Sequence, residues 1–422
     1  MEEVNKFCEL LMFLHPPWKV VSVSCREGGE DRSPGRVTIE MAYQAESLVP
    51  CPECGSLCKR HDAKAREWRD LDLMGWRTTL RAEVPRANCP THGVRQIAVP
   101  WAESHGRFTM RFETEVIEDL LAMPLRAVAQ KWGLSWHQAD GIRARAVRRG
   151  LARRGPLAPK RIGIDETSFQ KRHEYVSIVV DQKPASGRKG VVLYVGEGKD
   201  QAAVEPFFRE LGDDACGQIE TAAMDLAPAY IGATLKYTRA DICIDRFHVV
   251  SLLNQAVDQV RRAEHKALQT QGDSCLKGTR YDWLMTEQRM GPARRRRLEE
   301  LRRQDLKVAR AWALKERAAE IWELRDRTLA YYAWETWYQA ATRSRLAPVV
   351  KAAKTIWKHV EEILNAAVLG ISNALSESIN SKVQWIKRQA CGYRSRERFR
   401  QAIYFHLGGL DLYPRPPFHT IP

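Results

Sequence analysis

The chain has 422 residues, and its 67 Lys or Arg residues outnumber the 52 Asp or Glu residues to give a formal net charge of +15. That length exceeds one ordinary hydrophobic core and predicts two to four folded units. The basic excess favours a polyanionic partner such as nucleic acid. The sequence contains no run of 18 apolar residues, so a membrane-spanning helix is not expected.

The N-terminal end lacks the pattern of a secretory signal. Its short apolar stretch, Leu10 to Leu14, runs directly into Pro16 and Pro17, whereas a signal peptide has a basic start and a longer apolar region. We therefore expect a cytoplasmic, nucleoid-associated bacterial protein with no membrane partner, whose ten cysteines are reduced thiols or metal ligands.

Composition and the spacing of apolar residues predict a multidomain α/β protein of seven segments. In chain order these are an N-terminal segment (1–47), a zinc-binding module (48–105), a helix-turn-helix DNA-binding domain (106–155), the first part of a catalytic domain (160–250), an all-helical stretch (251–369), a helix that closes the catalytic domain (370–407) and a tail (408–422). Alternating residues predict short strands at Val20–Cys25 and Arg36–Tyr43.

The zinc-binding module carries two pairs of metal ligands. Cys51 and Cys54 form the first pair, and Cys89 and His92 form the second. Two pairs at this spacing bring four ligands to one tetrahedral Zn²⁺. Four protein ligands close the coordination sphere, so we expect this zinc to be structural rather than catalytic.

A second ligand set is open for the same zinc. Cys58 and His61 form another pair with the same spacing and could replace Cys89 and His92. We favour the distant pair, because closing the longer loop would hold the intervening strands together.

The segment from Phe112 to Arg149 resembles a helix-turn-helix. Its second helix has an apolar face, Gly133 supplies the turn, and Ser135 is the expected N-cap of the third helix. In this motif the start of the third helix enters the major groove. Ten Lys or Arg residues and one acid lie between Arg126 and Arg161. We predict DNA contacts by Ser135, Trp136, His137, Gln138 and Arg143.

The catalytic domain reads as a mixed sheet with helices. Strands are predicted at Tyr175–Asp181, Gly190–Val195, Ile219–Asp225 and Asp241–Asp245, following a short apolar run at Arg161–Asp165, and helices at Gln201–Leu211 and Pro228–Tyr237. From Arg246 to Leu369 the pattern is wholly helical. Most tryptophans of that stretch are expected to pack in its core, with one or two left to stack on unpaired bases.

Two aspartates end apolar strands of this domain. Asp165 and Asp225 would lie close together at neighbouring strand ends and would repel each other unless divalent cations neutralise them. Mg²⁺ suits ligands that are all oxygen. A pair of such ions activates a water or a 3′-hydroxyl and stabilises the leaving oxygen of a phosphodiester.

A third carboxylate is expected on a helix that runs to about Arg388. Asn373, Glu377, Asn380 and Gln384 recur at three- and four-residue spacing and form one polar face. Basic residues follow, and we predict DNA contacts by Lys387, Arg388 and Arg394. By spacing alone, a solvated polar face is the competing interpretation of Glu377.

At this point the chain resembles the insertion-sequence transposases of the ISL3 family, within the DDE transposase superfamily. The resemblance extends from about Cys51 to Gly392 and follows the family's order of motifs. The matching stretches are CPECG, RDLDLMGWR, IGIDETSFQKRHEY, AAMDLAPAY, CIDRFHVV, LKGTRY and SNALSESINSKVQWIKRQACGYRSRERF. One departure is His92, where the family pattern has a cysteine.

The resemblance implies a fold and a catalytic set. The fold is an RNase H-like catalytic domain with a long helical insertion, and Asp165, Asp225 and Glu377 match the catalytic Asp, Asp and Glu. Glu166 and Asp245 lie beside them and are interpreted as supporting residues, with contact of Asp245 to a metal as the minor alternative. The zinc-binding and helix-turn-helix modules are expected to recognise terminal inverted repeats.

We therefore expect a Mg²⁺- or Mn²⁺-dependent DNA transposase that also holds a structural Zn²⁺. It would bind double-stranded DNA at the transposon ends and in the target, nick the ends, and join the 3′-hydroxyl to the target as a homodimer or higher assembly. Two other interpretations are a regulator derived from a transposase and an RNase H-like nuclease that cuts without joining. A regulator would be expected to lack one of the three acids, which are all present.

Overall fold

The computed structural model describes residues 2–28, 34–44, 48–170, 174–184, 187 and 190–415. The chain forms two compact units, residues 1–154 with 404–422 and residues 155–403. Among the described residues, no helix has both the length and the apolar character needed to cross a membrane.

The first unit is built on a six-stranded sheet. Its elements are α1 (Glu2–Leu11), β1 (Trp18–Arg26), β2 (Arg36–Tyr43), β3 (Leu48–Pro50), β4 (Leu57–Arg69), β5 (Arg77–Cys89) and β6 (Gly93–Gln96). The strand order is β1-β2-β5-β4-β3, with β6 also paired to β5. Because β2 pairs directly with β5, the N-terminal segment predicted as separate shares one sheet with the zinc-binding module.

Tryptophans fill the core of this sheet. Trp18 and Trp68 each meet Trp101 edge to face, at ring-centroid distances of 4.8 and 5.4 Å. All three side chains are buried, and such arrangements stabilise beyond the apolar area they cover. The core therefore ties β1, β4 and the loop after β6 together.

Three helices complete the first unit: α2 (Met110–Ala122), α3 (Leu125–Lys131) and α4 (Trp136–Arg153). Gly133 has φ +60° in the turn before α4. Ser135 caps α4 by accepting from the Gln138 N–H, and the Gln138 side chain accepts from the Ser135 N–H in return. This confirms the predicted turn and N-cap.

The second unit contains a five-stranded mixed sheet. Its strands are β7 (Arg161–Gln170), β8 (Glu174–Asp181), β9 (Val191–Glu197), β10 (Thr221–Met224) and β11 (Asp241–Ile244), in the order β11-β10-β7-β8-β9. β7, β8 and β9 are antiparallel neighbours, whereas β10 runs parallel to both β7 and β11. Each strand overlaps its predicted position, but β7 continues to Gln170, so Asp165 lies in the middle of this strand and not at its end as predicted.

Helices follow the strands of this sheet. They are α5 (Gln201–Leu211), α6 (Asp213–Cys216) and α7 (Pro228–Tyr237). α5 packs on β8 and β9, and α7 packs on α5 and β10. The bounds of α5 and α7 agree with the predicted helices.

The stretch between β11 and the last helices is helical throughout, as predicted. It comprises α8 (Arg246–Gln269), α9 (Arg280–Leu284), a 3-10 turn (Glu287–Arg289), α10 (Pro292–Arg302), α11 (Lys307–Ile321), α12 (Arg327–Arg343), α13 (Ala347–Lys358) and α14 (Val360–Leu369). Its tryptophans at 283, 312, 322, 334 and 337 are buried, which confirms them as core residues. α14 packs against β11 and so returns the chain to the sheet.

Two further helices follow α14, namely α15 (Ala374–Gln389) and α16 (Arg396–Leu407). α15 packs along β7. Asn373 precedes it, and Gly370, in the left-handed region at φ +64°, ends α14 just before. α15 is therefore brought back to the central strand by a chain that has left the sheet for more than a hundred residues.

Candidate metal centres and DNA-facing residues

The predicted zinc ligands converge in the first unit. One ligand atom from each of Cys51, Cys54, Cys89 and His92 lies within 4.8 Å of the other three. Cys54 Sγ is 3.8 Å from Cys89 Sγ, and His92 Nδ1 is 3.5 Å from Cys89 Sγ. Zn–S bonds of about 2.3 Å in a tetrahedron put sulfurs about 3.8 Å apart. The spacing therefore fits a tetrahedral Zn²⁺.

Local backbone contacts prepare this cluster for a cation. The backbone N–H of His92 is the main cause that lowers the pKa of the Cys89 thiol to about 6, so this ligand is a thiolate near neutral pH. His92 Nε2 lies 3.7 Å from a Glu53 carboxylate oxygen, which leaves Nδ1 facing the sulfurs. Cys58 is buried beside the cluster and donates to the Ser56 carbonyl at 3.3 Å instead.

Strand register brings the first two aspartates to one level of the second sheet. β10 pairs in parallel with β7, with Ala223 opposite Gly163. Continuing that register by two residues places Asp225 opposite Asp165. Neighbouring strands lie about 4.8 Å apart, so the two carboxylates emerge side by side at the carboxyl end of the parallel strands.

Asp245 occupies the same level on the next strand. Met224 on β10 is opposite Ile244 on β11, so Asp225 and Asp245 follow their strands side by side. Asp245 is buried, and its Oδ1 caps α8 by accepting from the Phe247 N–H at 2.6 Å. Three aspartates therefore stand in a row, and the third is engaged by the backbone.

The polar face of α15 holds Glu377 beside this row. Asn380 Nδ2 donates to the Glu166 carbonyl at 3.2 Å, and Gln384 Nε2 donates to Thr167 Oγ1 at 2.6 Å. These contacts follow β7 residue by residue from the position after Asp165. Glu377 lies one turn before Asn380, so it comes level with Asp165 while its own side chain stays exposed.

The charges of the acids act on one another. Burial first, and then the negative charges of Glu166, Asp225 and Glu377, raise the pKa of Asp165 to about 7 against a hydrogen bond from the Glu166 N–H that lowers it. A neutral carboxyl group is thereby favoured at a position where a cation would favour the ionised form. The three predicted acids therefore share one electrostatic environment.

Asp225 shows the same demand for positive charge. Burial raises its pKa, whereas the nearby cations His248 and Lys199 lower it. Its Oδ1 is buried and has no hydrogen-bond partner among the described residues. A buried oxygen without a donor costs free energy, and a divalent cation with oxygen ligands would satisfy it.

The donor chemistry therefore fits Mg²⁺ or Mn²⁺, with Asp165, Asp225 and Glu377 to hold it. Across the described ranges, the zinc set is the one group whose ligand atoms gather within 4.8 Å. The three carboxylates thus stand further apart than the zinc ligands do.

The start of α4 presents four of the predicted DNA contacts. Ser135, Trp136, His137 and Gln138 are exposed. The side chains of Ser135 and Gln138 are bound to each other's backbone, so they fix the helix start, while the rings of Trp136 and His137 project beyond it. In a helix-turn-helix this end of the third helix faces the base edges.

Two predicted DNA contacts are placed differently. Arg143 is 5% exposed and paired with the buried Asp140, so as placed it cannot reach a phosphate, and the prediction for it is not supported. Arg143 lies three positions after Asp140 on the buried face of α4. The prediction relied on the basic composition of the segment, which does not show which face of the helix a residue occupies. Lys387 donates to the Ser168 carbonyl at 2.9 Å and helps to fix α15, whereas Arg388 and Arg394 are exposed.

Sequence reasoning missed several residues around the acids. Tyr230 is fully buried and its hydroxyl lies 2.8 Å from Ser177 Oγ, next to Glu166. Lys199 and His248 act on Asp225 through their charge. Gly163 lies close to Ser376 on α15. It is the one missed residue that the sequence could have indicated, because a glycine inside a strand often marks the close approach of another segment.

Three parts of the chain match family profiles. Residues 162–403 match a family described as "Transposase" of the ISL3 type, residues 47–92 match the "zinc-finger of transposase IS204/IS1001/IS1096/IS1165", and residues 97–147 match the "Helix-turn-helix domain of transposase family ISL3". The zinc-finger match contains all four ligands of the cysteine cluster. The order of the three matches is the order predicted from the sequence.

Curated relatives and a solved structure are similar to this chain. The transposase for insertion sequence element IS1557 of Mycobacterium tuberculosis is 30% identical over 403 residues, 89% of each chain, and that for IS1001 of Bordetella parapertussis is 27% identical over 388 residues, 90% of this chain and 94% of the relative. A Drosophila P element transposase strand transfer complex aligns with a TM-score of 0.39 and 9% identity, covering 72% of this chain and 92% of that one. The profile over residues 162–403 and the identity over most of both chains show that this chain belongs to the ISL3 family of DNA transposases.

Proposed function

We propose that this transposase nicks the ends of its element and joins the freed 3′-hydroxyl to target DNA, with Asp165, Asp225 and Glu377 as its catalytic residues. The observation that carries the proposal is the alignment of Asp165 and Asp225 at one sheet level with Glu377 docked beside them. DNA cleavage and strand transfer are the chemistry of the family to which the chain belongs.

The catalytic domain is proposed to be RNase H-like, with residues 246–369 as its helical insertion. In its favour, three antiparallel strands are followed by two strands parallel to the first, and the first strand is central. That arrangement puts the carboxyl ends of β7, β10 and β11 at one edge. Asp225 and Asp245 directly follow β10 and β11, and Asp165 lies beside them in the middle of β7.

Asp165, Asp225 and Glu377 are proposed to hold Mg²⁺ or Mn²⁺. A bound pair of such ions activates the attacking water or 3′-hydroxyl and stabilises the leaving oxygen. The side chains of Asn380 and Gln384 fix α15 along β7. Glu377 on the same helix is exposed and therefore accessible to DNA from the solvent. Lys199 adds positive charge beside Asp225, which favours a phosphate in that place.

DNA recognition is proposed to divide between the two units. The zinc-binding module and the helix-turn-helix would recognise the terminal inverted repeats, with Trp136 and His137 at base edges. Arg388 in the last turn of α15 and Arg394 after this helix are exposed, and they would contact phosphates near the cut. Two ends must be held together for joining, so the active form is proposed to be a homodimer or a higher assembly on DNA.

A strand-transfer assay with end DNA, a target plasmid and Mg²⁺ or Mn²⁺ tests this function. The Asp165→Ala, Asp225→Ala and Glu377→Ala variants are expected to lose cleavage and joining while they still retard end DNA in a gel. Asp241→Asn is the matched control, since Asp241 is an exposed acid at the opposite end of β11. Cleavage without joined product by the wild-type protein would indicate a nuclease, and no cleavage at all would indicate a regulator.

A further inference from the structure

Asp245 is the third aspartate of the row, but its carboxylate is not directed to a cation. It is 5% exposed, and both of its oxygens accept from backbone N–H groups. Oδ1 accepts from Phe247 at the start of α8, and Oδ2 accepts from Asn373 at 2.5 Å. No Lys, Arg or His forms an ion pair with it among the described residues. The two helix starts are therefore its partners.

The second of these hydrogen bonds leads directly to Glu377. Asn373 is fully buried and precedes α15. Its carbonyl accepts from the Glu377 N–H at 3.0 Å, so the backbone of this one residue, through its N–H and its C=O, links the Asp245 carboxylate to the backbone of Glu377. Hydrogen bonds to a charged acceptor are about twice as strong as neutral ones.

We propose that Asp245 is a positioning residue that sets where Glu377 stands relative to Asp165 and Asp225. The other contacts of α15 lie further along the helix, at Asn380 and Gln384, and fix its direction along β7. The Asp245 bond fixes its first turn. β11 carries Asp245 at the level of Asp225. The Asp245 bond therefore fixes the first turn of α15 relative to the part of the sheet that carries Asp165 and Asp225.

The same carboxylate joins the start of α8 to the start of α15. These positions are separated by the whole stretch from 246 to 373, and they meet on one side chain. A displacement of α8 that breaks the hydrogen bond from Phe247 to Asp245 would also move the Asp245 carboxylate away from the Asn373 N–H. Contacts that DNA makes with α8–α14 would in this way be felt at Glu377. This inference rests on the proposed catalytic role of Glu377.

Replacement of Asn373 tests the bond without touching Asp245. Asn373→Pro removes the N–H donor, and the φ of −85° at this position is near the value that proline requires. Asn373→Ala keeps the N–H and is the matched control for loss of the side chain. Asp245→Ala removes the acceptor, and Asp245→Asn keeps one acceptor oxygen. Each is assayed for single-turnover cleavage against Mn²⁺ concentration, for bound Mn²⁺ by electron paramagnetic resonance, and for thermal unfolding.

The expected result is a cleavage rate about 100-fold lower in Asn373→Pro than in Asn373→Ala, the order of loss that a misplaced group of about 1 Å causes, with a higher Mn²⁺ requirement. Asp245→Ala is expected to match Asn373→Pro, Asp245→Asn to lie between, and the double variant to be no worse than either single one. Non-additivity assigns both losses to the hydrogen bond that the two residues share, and unchanged thermal unfolding of the single variants separates positioning from general destabilisation.

Three outcomes would overturn the proposal. Equal rates and Mn²⁺ requirements in Asn373→Pro and Asn373→Ala would show that the N–H bond does nothing. Loss of Mn²⁺ binding in Asp245→Ala alone would make Asp245 a metal ligand. Additive losses in the double variant, including a failure of only that variant to fold, would assign both residues to stability. Asp165→Ala is run in parallel: if it cleaves normally, the proposed function fails, and if it is inactive, the result for Asn373→Pro bears on Asp245 alone.

Discussion

Gly163 on β7 faces Ser376 on α15 so closely that a β-carbon on Gly163 would lie 2.3 Å from the serine Oγ. The same β-carbon would also lie 2.9 Å from Gln182 Nε2. α15 therefore rests on the bare backbone of the central strand, two residues before Asp165. The distance of Glu377 from the aspartates depends on that absence of a side chain.

We expect Gly163→Ala to lower cleavage by about 100-fold, because the new methyl group displaces α15 and its Glu377. Binding of end DNA should be unchanged, since the helix-turn-helix belongs to the other unit. The measurement is single-turnover cleavage with a gel-shift control. Gly163→Ala combined with Ser376→Gly should recover part of the rate, because the closest obstacle is removed. Full activity of Gly163→Ala would contradict the assigned close packing.

The zinc ligand set can be distinguished by metal content. We expect Cys89→Ser to lose the zinc and to unfold at a lower temperature, because structural zinc contributes directly to folding. Cys58→Ser should keep the metal, since its thiol is bonded to the Ser56 carbonyl. His92→Cys should also keep it, since a thiolate replaces an imidazole. The measurements are the zinc content per chain by elemental analysis and the temperature of thermal unfolding. Retention of zinc in Cys89→Ser would show that Cys58, and not Cys89, is a ligand.

Two arginines of α4 should behave differently when replaced. Arg143→Ala is expected to lower the free energy of unfolding by about 3 kcal/mol, because a buried partner of Asp140 is removed. Arg148→Ala, on the same helix but exposed, should leave stability unchanged and weaken DNA binding with a smaller salt dependence. Denaturant unfolding and a salt series of end-DNA binding measure the two effects. Reversal of the two phenotypes would show that Arg143 turns outward.

Asp165 should make stability without divalent cations depend on pH. Its folded pKa of about 7 is above the ordinary value of 3.8. The contribution of this carboxyl group to the stability of the folded state is therefore fully present below about pH 4 and is lost as the pH rises through 7. At about 1.4 kcal/mol per pKa unit, the loss is about 3 kcal/mol or less, because the group is partly exposed. Asp165→Asn should abolish this loss and be more stable than wild type at pH 8 in chelator.

The comparison for this last prediction is the unfolding temperature of both proteins from pH 5 to pH 8. Mn²⁺ should raise the stability of the wild-type protein most at high pH, where the carboxylate is ionised, and should have little effect on Asp165→Asn. Parallel curves for the two proteins would mean that Asp165 titrates at its ordinary value.

Much of this protein was predictable from local pattern. The two metal-ligand pairs, the Ser135 cap, the end of β10 before Asp225, and the polar face of α15 all depend on residues close together in the chain. Such features follow from spacing, because helices repeat every 3.6 residues and strands every two. The arrangement of the sheet followed from the alternation of strands and helices.

Only the tertiary structure decided which of the charged residues do chemistry and which hold the fold. Arg143 and Lys387 look like DNA contacts in the sequence, yet one is buried against Asp140 and the other is bound to β7. Asp245 is interpreted from the sequence as a supporting residue, and only the structure shows that its oxygens bind two helix starts. The sequence determined what each residue can bind, whereas burial and register, which depend on residues more than a hundred positions away, determined what each one meets.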